Sequence, residues 1–181
     1  TCYYNFVNFT SVFFEGKIDC LLNTKFVRSG LYMSTISLCM IVKDEEKHLP
    51  NCLESIKDLV DEIIIVDTGS TDKTEDIAKD FGAQIYHFEW IHDFAAARNF
   101  SLEKATKEWI LWLDADESIE KINIDELKEK LKTTNQLGFE VEIHNLVVEN
   151  KAPLIHKSIR LFKNGLNINF MNKVHEQPSI H

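Results

Sequence analysis

Apolar residues in this chain gather into short solid runs, and the stretches between those runs carry apolar residues on one helical face only. Ile36 to Val42, Glu62 to Asp67, Ala83 to His87 and Trp109 to Leu113 are apolar or β-branched with little interruption. That pattern predicts strands covered on both faces. Between them, Leu49, Cys52, Leu53 and Ile56 recur at helical spacing. A second helix is expected from about Asp72 to Phe81, with Gly82 as its stop, and a third from Phe94 to Ala105. Strand and helix alternate with short connections, which predicts right-handed βαβ units and a parallel sheet. The pattern changes after Leu113. Ile124 to Leu131 reads as an amphipathic helix, and Gly138 to Val148 and Ser158 to Phe162 follow as longer strands with no helix between them. The expected fold class is α/β: a Rossmann-like, mostly parallel sheet flanked by helices, with a small mixed or antiparallel C-terminal addition.

Residues 1–32 have a different texture, rich in Phe but broken by Asn8, Thr10, Glu15, Lys17 and Asp19. They read as an extension outside a single domain spanning 33–181; the alternative is an extra hairpin or helix packed on it. The segment lacks the basic start and long apolar core of a signal peptide. No apolar stretch approaches the ~20 residues that a membrane helix needs.

Candidate chemistry gathers where strands end. The fourth run stops abruptly in Asp114-Ala115-Asp116-Glu117. If strand geometry continued, Asp114 and Asp116 would point to one side, ~6.5–7 Å apart. Open α/β sheets bind ligands beyond the carboxyl ends of their strands, and paired hard oxygen donors there suit Mg2+ or Mn2+. The same acidic step can also serve as a plain helix cap. Lys43-Asp44-Glu45 and Asp67-Thr68-Gly69-Ser70 follow two other predicted strands, so all three clusters fall on one edge. With Arg98-Asn99 they form a set that suits a nucleotide diphosphate. A carboxylate accepts from a base or ribose, an arginine fork meets phosphate, and a metal neutralises charge. Plainer roles stand beside these: Asp67 and Ser70 as turn residues, Arg98 as a surface cation, His175 as a structural histidine. Trp109 and Trp112 read as core; so does Trp90, although it could border a sugar pocket. The charged stretch from Glu120 to Lys130 reads as a solvated face.

Composition narrows the partners. A net charge of −9 without a basic stripe argues against nucleic acid. The four cysteines, Cys2, Cys20, Cys39 and Cys52, form no Cys-x-x-Cys pair and have no histidine cluster beside them, so no zinc site is expected. Buried free thiols in a reducing, cytoplasmic setting are the expectation.

Leu38-Cys39-Met40-Ile41-Val42-Lys43-Asp44-Glu45-Glu46, Val66-Asp67-Thr68-Gly69-Ser70-Thr71-Asp72-Lys73-Thr74, Ala97-Arg98-Asn99 and Trp112-Leu113-Asp114-Ala115-Asp116-Glu117 closely resemble, in order, the motifs of family 2 glycosyltransferases. Arg160-Leu161-Phe162 and Val174-His175-Glu176-Gln177 are similar to late motifs of the bacterial lipopolysaccharide-core glucosyltransferase-like group. The resemblance runs from about Thr35 to Gln177 and implies the GT-A fold. It also implies a metal-dependent, inverting transfer from a nucleotide-diphosphate sugar, most naturally a UDP-sugar, to a glycan, lipid-linked or peptide acceptor. By this resemblance Asp67 holds the nucleobase, with Val42, Lys43 and Glu45 lining the same pocket. Arg98 faces the diphosphate, and Asp114 approaches ribose and metal. Asp116 and His175 ligate Mn2+ or Mg2+, imidazole suiting Mn2+ better. Glu176 is the candidate catalytic base, and Asp116 counts with it among the catalytic residues. Peripheral contact with the inner face of a membrane is a further expectation. Lys107 and Asn172 depart from the resemblance, standing where glycine is frequent. Because the sequence stops at His181, the domain reads as short at that end, so a nucleotide-sugar-binding domain without transfer is the alternative. A nucleotidyltransferase ranks lower, since no Gly-rich loop follows the first strand.

Overall fold

In the computed structural model, the structure describes residues 4–13, 33–120, 122–146 and 154–180. The chain opens with β1 (Tyr4–Phe13) and then builds the expected parallel series. This comprises β2 (Ile36–Val42), α1 (Leu49–Ile56), β3 (Glu62–Asp67), α2 (Thr74–Asp80), β4 (Gln84–His87), α3 (Phe94–Leu102) and β5 (Trp109–Trp112). β2 lies between β3 and β5, and β4 pairs with β3; all three pairings are parallel. β2, β3 and β5 are buried almost throughout, which is why they appear as unbroken apolar runs.

Alternate residues of β2 serve two cores. Ile36, Leu38, Met40 and Val42 pack with Leu49, Leu53 and Ile56 of α1 on one face. Cys39 faces the other way, into a cluster with Ala95 of α3, Trp112 and Phe162. The expected free, buried thiols are found at Cys39 and Cys52; Cys2 and Cys20 lie outside the described residues.

After β5 come β6 (Glu117–Ile119), α4 (Ile124–Thr133), β7 (Gly138–Leu146) and β8 (Leu154–Lys163). β8 runs antiparallel to β5, with Leu111 opposite Leu161, and β7 runs antiparallel to β8. The addition therefore extends the same sheet, in the order β4-β3-β2-β5-β8-β7-β1-β6. β1 pairs antiparallel with β7 and parallel with β6. β9 (Ile168–Met171) and β10 (Gln177–Ile180) form a separate antiparallel ribbon.

Element ends differ from expectation for identifiable reasons. β8 starts at Leu154 rather than Ser158 because its first four residues are exposed and carry no burial signal. α3 stops at Leu102 rather than Ala105, where the backbone tightens into three-residue turns: Lys104 N donates to Ser101 O and Ala105 N to Leu102 O. No helix among the described residues is long and apolar enough to cross a membrane.

Candidate active site

The loops that leave β2 and β3 are stitched together by their own side chains. Asp44 N donates to Ser70 Oγ (3.0 Å), Glu45 N to Thr74 Oγ1 (2.7 Å) and Glu46 N to Asp72 Oδ2 (3.1 Å). In return Thr71 N donates to Asp44 Oδ1 (2.7 Å) and Lys73 N to Glu46 Oε2 (3.3 Å). Short polar side chains take loop N–H groups that neither strand can satisfy. Asp44 itself sits at φ 54, in the left-handed region. Much of the Lys43–Glu46 and Thr68–Thr74 sequence is therefore scaffold, holding the rim above the sheet.

Asp67 closes β3. It is 2% exposed, and its Oδ1 accepts from Gly69 N (2.6 Å) and Ser70 N (2.7 Å). These bonds make it a turn residue, the plainer of its two expected roles. Its Oδ2 is equally buried and meets no donor among the described residues. A carboxylate oxygen left that way is costly unless a ligand supplies a donor.

Asp114 and Asp116 reach the cleft by a route other than the expected one. β5 ends at Trp112, and Asp114 to Glu117 is a turn in which Glu117 N donates to Asp114 O (3.0 Å). The side chain of Glu117 folds back so that its Oε2 accepts from Asp114 N (2.9 Å). The strand geometry expected for the pair is thus replaced by a side-chain-closed turn, yet both aspartates still line one cleft.

Arg98 and Arg160 converge on this turn. Arg98 Nη2 donates to Asp114 Oδ1 and its Nε to Glu176 Oε1, both at 2.6 Å. Arg160 Nη2 donates to Glu117 Oε1 (2.7 Å), and its Nη1 lies 3.8 Å from Asp114 Oδ2. Both guanidiniums are buried and lie against the Trp112 ring, at 4.5 and 3.6 Å from its centroid. Arg98 is a buried bridge between carboxylates, not a surface cation. Its neighbour Asn99 does not face the cleft. Its side-chain amide bonds both backbone groups of Phe170 (Nδ2 to O 3.1 Å, Phe170 N to Oδ1 2.7 Å), pinning β9 to α3. Phe94 N also donates to Lys173 O (3.1 Å), so the loop carrying Glu176 is held to the start of the same helix.

The cleft between these parts has a volume of about 430 Å3, lined by Val42, Lys43, Glu45, Arg98, Asp114 and Asp116 together with Thr68, Trp90 and Phe94. Its carboxylates repel one another. Burial and then Asp114 hold the Asp116 carboxyl above its ordinary range. Burial, with Asp116 and Asp114 adding to it, does the same to Glu45. Asp114 goes the other way: burial alone would raise it, but Arg98 and Arg160 outweigh that and lower it. Three carboxylates share one mouth, two of them resisting ionisation, but neither they nor Asp114, Asp116 and His175 bring their ligand atoms within 4.8 Å of one another as a group.

Val42, Lys43, Glu45, Arg98, Asp114 and Asp116 line the cleft, whereas Asp67 and Glu176 are outside its lining, Glu176 meeting it only through its bond to Arg98. His175 is exposed, at φ 57. Among the described residues, the group whose possible ligand atoms lie within 4.8 Å of one another is Asp67, Glu75 and His87. Asn172, at φ 73, occupies a left-handed position; asparagine tolerates this better than most residues, so it can stand where glycine is frequent. Trp90 borders the cleft as well as packing on Phe94. Sequence reasoning gave no role to Arg160 or Glu117. The available signal was a lone arginine inside the apolar run Ile159-Arg160-Leu161-Phe162, which requires a buried partner.

Fold and cleft define a class: an open α/β sheet whose parallel strands end in a carboxylate-rich ligand cleft. Comparison with known proteins narrows it. The model of the family Glycosyl transferase family 2 matches residues 37–179. A TPR repeat-containing protein of Synechococcus elongatus is 44% identical over 147 residues, covering 81% of this chain and 36% of its own length. The SPbeta prophage-derived glycosyltransferase SunS of Bacillus subtilis is 36% identical over 146 residues, covering 80% of this chain and 35% of its own length. Among solved structures, Staphylococcus aureus TarS in complex with UDP aligns at 25% identity and a TM-score of 0.45, over 54% of this chain and 31% of that one. The chain belongs to glycosyl transferase family 2 and is a glycosyltransferase domain. It spans about a third of the length of the first two relatives.

Proposed function

We propose that this domain transfers a sugar from a nucleotide-diphosphate donor, taken to be a UDP-sugar, to a glycan, lipid-linked or protein acceptor with inversion at the anomeric carbon. The observation that carries this reading is the convergence of Glu45, Asp114 and Asp116 on one cleft beside two guanidiniums that already have partners. In this reading Asp67 accepts the N–H of the base through its free Oδ2, and Lys43 and Glu45 border the nucleoside. Arg98 meets the diphosphate with its plane already fixed by Asp114 and Glu176, so little reorganisation is needed as charge grows on the leaving group. Asp114 and Asp116, with His175 as a further ligand, would hold Mn2+ or Mg2+. When bound, such an ion would supply Lewis-acid stabilisation of the leaving diphosphate. Glu176, whose Oε1 accepts from Arg98 Nε, would take the acceptor's proton.

The test titrates UDP-sugars with and without Mn2+ on the parent domain and on Asp116→Ala, while free UDP is assayed. Metal-dependent binding with UDP release, both lost in Asp116→Ala, supports the reading. Metal-independent binding, or no UDP binding, sinks it. Binding without release, even with candidate acceptors, selects a nucleotide-sugar-binding domain without transfer activity.

A further inference from the structure

Arg160 and Glu117 stand one layer behind the cleft. Glu117 uses both carboxylate oxygens: Oε2 accepts from the backbone N–H of Asp114, and Oε1 from Arg160 Nη2. Arg160 is 5% exposed and its Nε and Nη1 have no hydrogen-bond partner; its face is spent on Trp112 and its remaining charge on Asp114 Oδ2. β8 delivers it there by register. Leu161 lies opposite Leu111, so Arg160 falls one step further along, beside Trp112. Trp112 is itself fixed, its Nε1 donating to Ile159 O (2.8 Å). A buried charge with donors left over is a poor choice for stability alone, since an apolar residue of similar volume would pack there without loss.

We propose that Arg160 and Glu117 are a positioning pair that sets the Asp114–Asp116 turn, Glu117 by closing the backbone and Arg160 by holding Glu117 and steering Asp114 Oδ2. Neither residue lies in the cleft lining. The pair acts through Asp114, whose other oxygen is taken by Arg98, so the carboxylate is held between two guanidiniums with its plane defined. Arg160→Lys keeps the charge but offers one compact ammonium, which cannot lie flat on Trp112 while also reaching Glu117 and Asp114. Glu117→Gln leaves an NH2 facing one of two N–H donors.

The geometric part stands apart from any chemistry, whereas its effect on turnover rests on the transfer reading above. Two measurements separate them. Amide hydrogen exchange on the domain is expected to speed up at Asp114 by about tenfold or more in Arg160→Lys and in Glu117→Gln. Amides of β2 and β3 should stay as protected as in the parent. Unchanged protection at Asp114, or a uniform rise across the sheet, overturns the proposal. In the transfer assay kcat should fall while affinity for free uridine holds; an equal loss of both overturns the positioning role. If the parent neither binds nor releases UDP, the transfer reading fails and the exchange result alone judges the pair.

Discussion

Asp67→Asn separates a base-reading residue from a mere turn residue. The substitution keeps an oxygen at Oδ1, so the bonds from Gly69 N (2.6 Å) and Ser70 N (2.7 Å) can persist. Their change from charge-assisted to neutral costs about 1 kcal/mol of folding stability. The other consequence falls at Oδ2, which is buried and lacks a donor. Asparagine puts an NH2 there. Uracil N3–H would then oppose a donor rather than an anion, losing a charge-assisted bond and burying two donors head to head, about 3 kcal/mol together. At about 1.4 kcal/mol per decade this is roughly a hundredfold loss of UDP affinity. Cytosine presents an acceptor at N3, so CDP should lose far less, and the UDP-over-CDP preference should shrink by a comparable factor. Calorimetric titration of both nucleotides, alongside urea unfolding, reads out the two effects. UDP affinity within about threefold of the parent, with only stability lowered, would refute the base-reading role and leave Asp67 as a turn residue.

Other outcomes follow from the same geometry. Arg98→Ala strands the largely buried Glu176 and leaves Asp114, whose side chain is 39% exposed, with Arg160 alone, so it should cost about 2–4 kcal/mol in urea unfolding; a loss below about 1 kcal/mol would mean that solvent relieves the pair. Burial, opposed by Arg160, pushes the Glu117 carboxyl up from 4.5 to about 7. An acid raised on folding stabilises below its unfolded value, and that contribution is lost as pH climbs through 7. Between pH 5 and pH 8 the parent should therefore lose up to about 3 kcal/mol relative to Glu117→Gln, and parallel stability profiles would exclude this. Burial raises the Cys39 and Cys52 thiols far above their ordinary range. Site-resolved mass spectrometry should find both unlabelled by iodoacetamide until the domain unfolds, and rapid native labelling of either would contradict their placement.

The parallel half of the fold is legible in the sequence because β2, β3 and β5 are covered on both faces, so burial writes itself as unbroken apolar runs. The outer half of β8 is exposed and leaves no such trace. The acidic step after Leu113 does border a cleft, but not with the strand geometry its spacing implies. Its turn depends on Glu117 folding back under Arg160, a residue 43 positions away. Arg98 is visible as a motif residue, while its burial against Trp112 and its grip on Glu176 arise only when α3 and the ribbon meet. Side-chain pairings between distant loops have no periodicity, and periodicity is what a single sequence displays best.

The bonds that stitch the β2 loop to the β3 loop make the two segments one part for the purposes of engineering. Grafting residues 43–48 from a relative without its own counterpart of residues 68–74 would leave Thr71 N and Lys73 N facing side chains of the wrong length, and the incoming N–H groups out of register with Ser70, Asp72 and Thr74. Donor preference should therefore move between such domains as a matched pair of loops, and single-loop chimaeras should fail at the rim before they fail in the core.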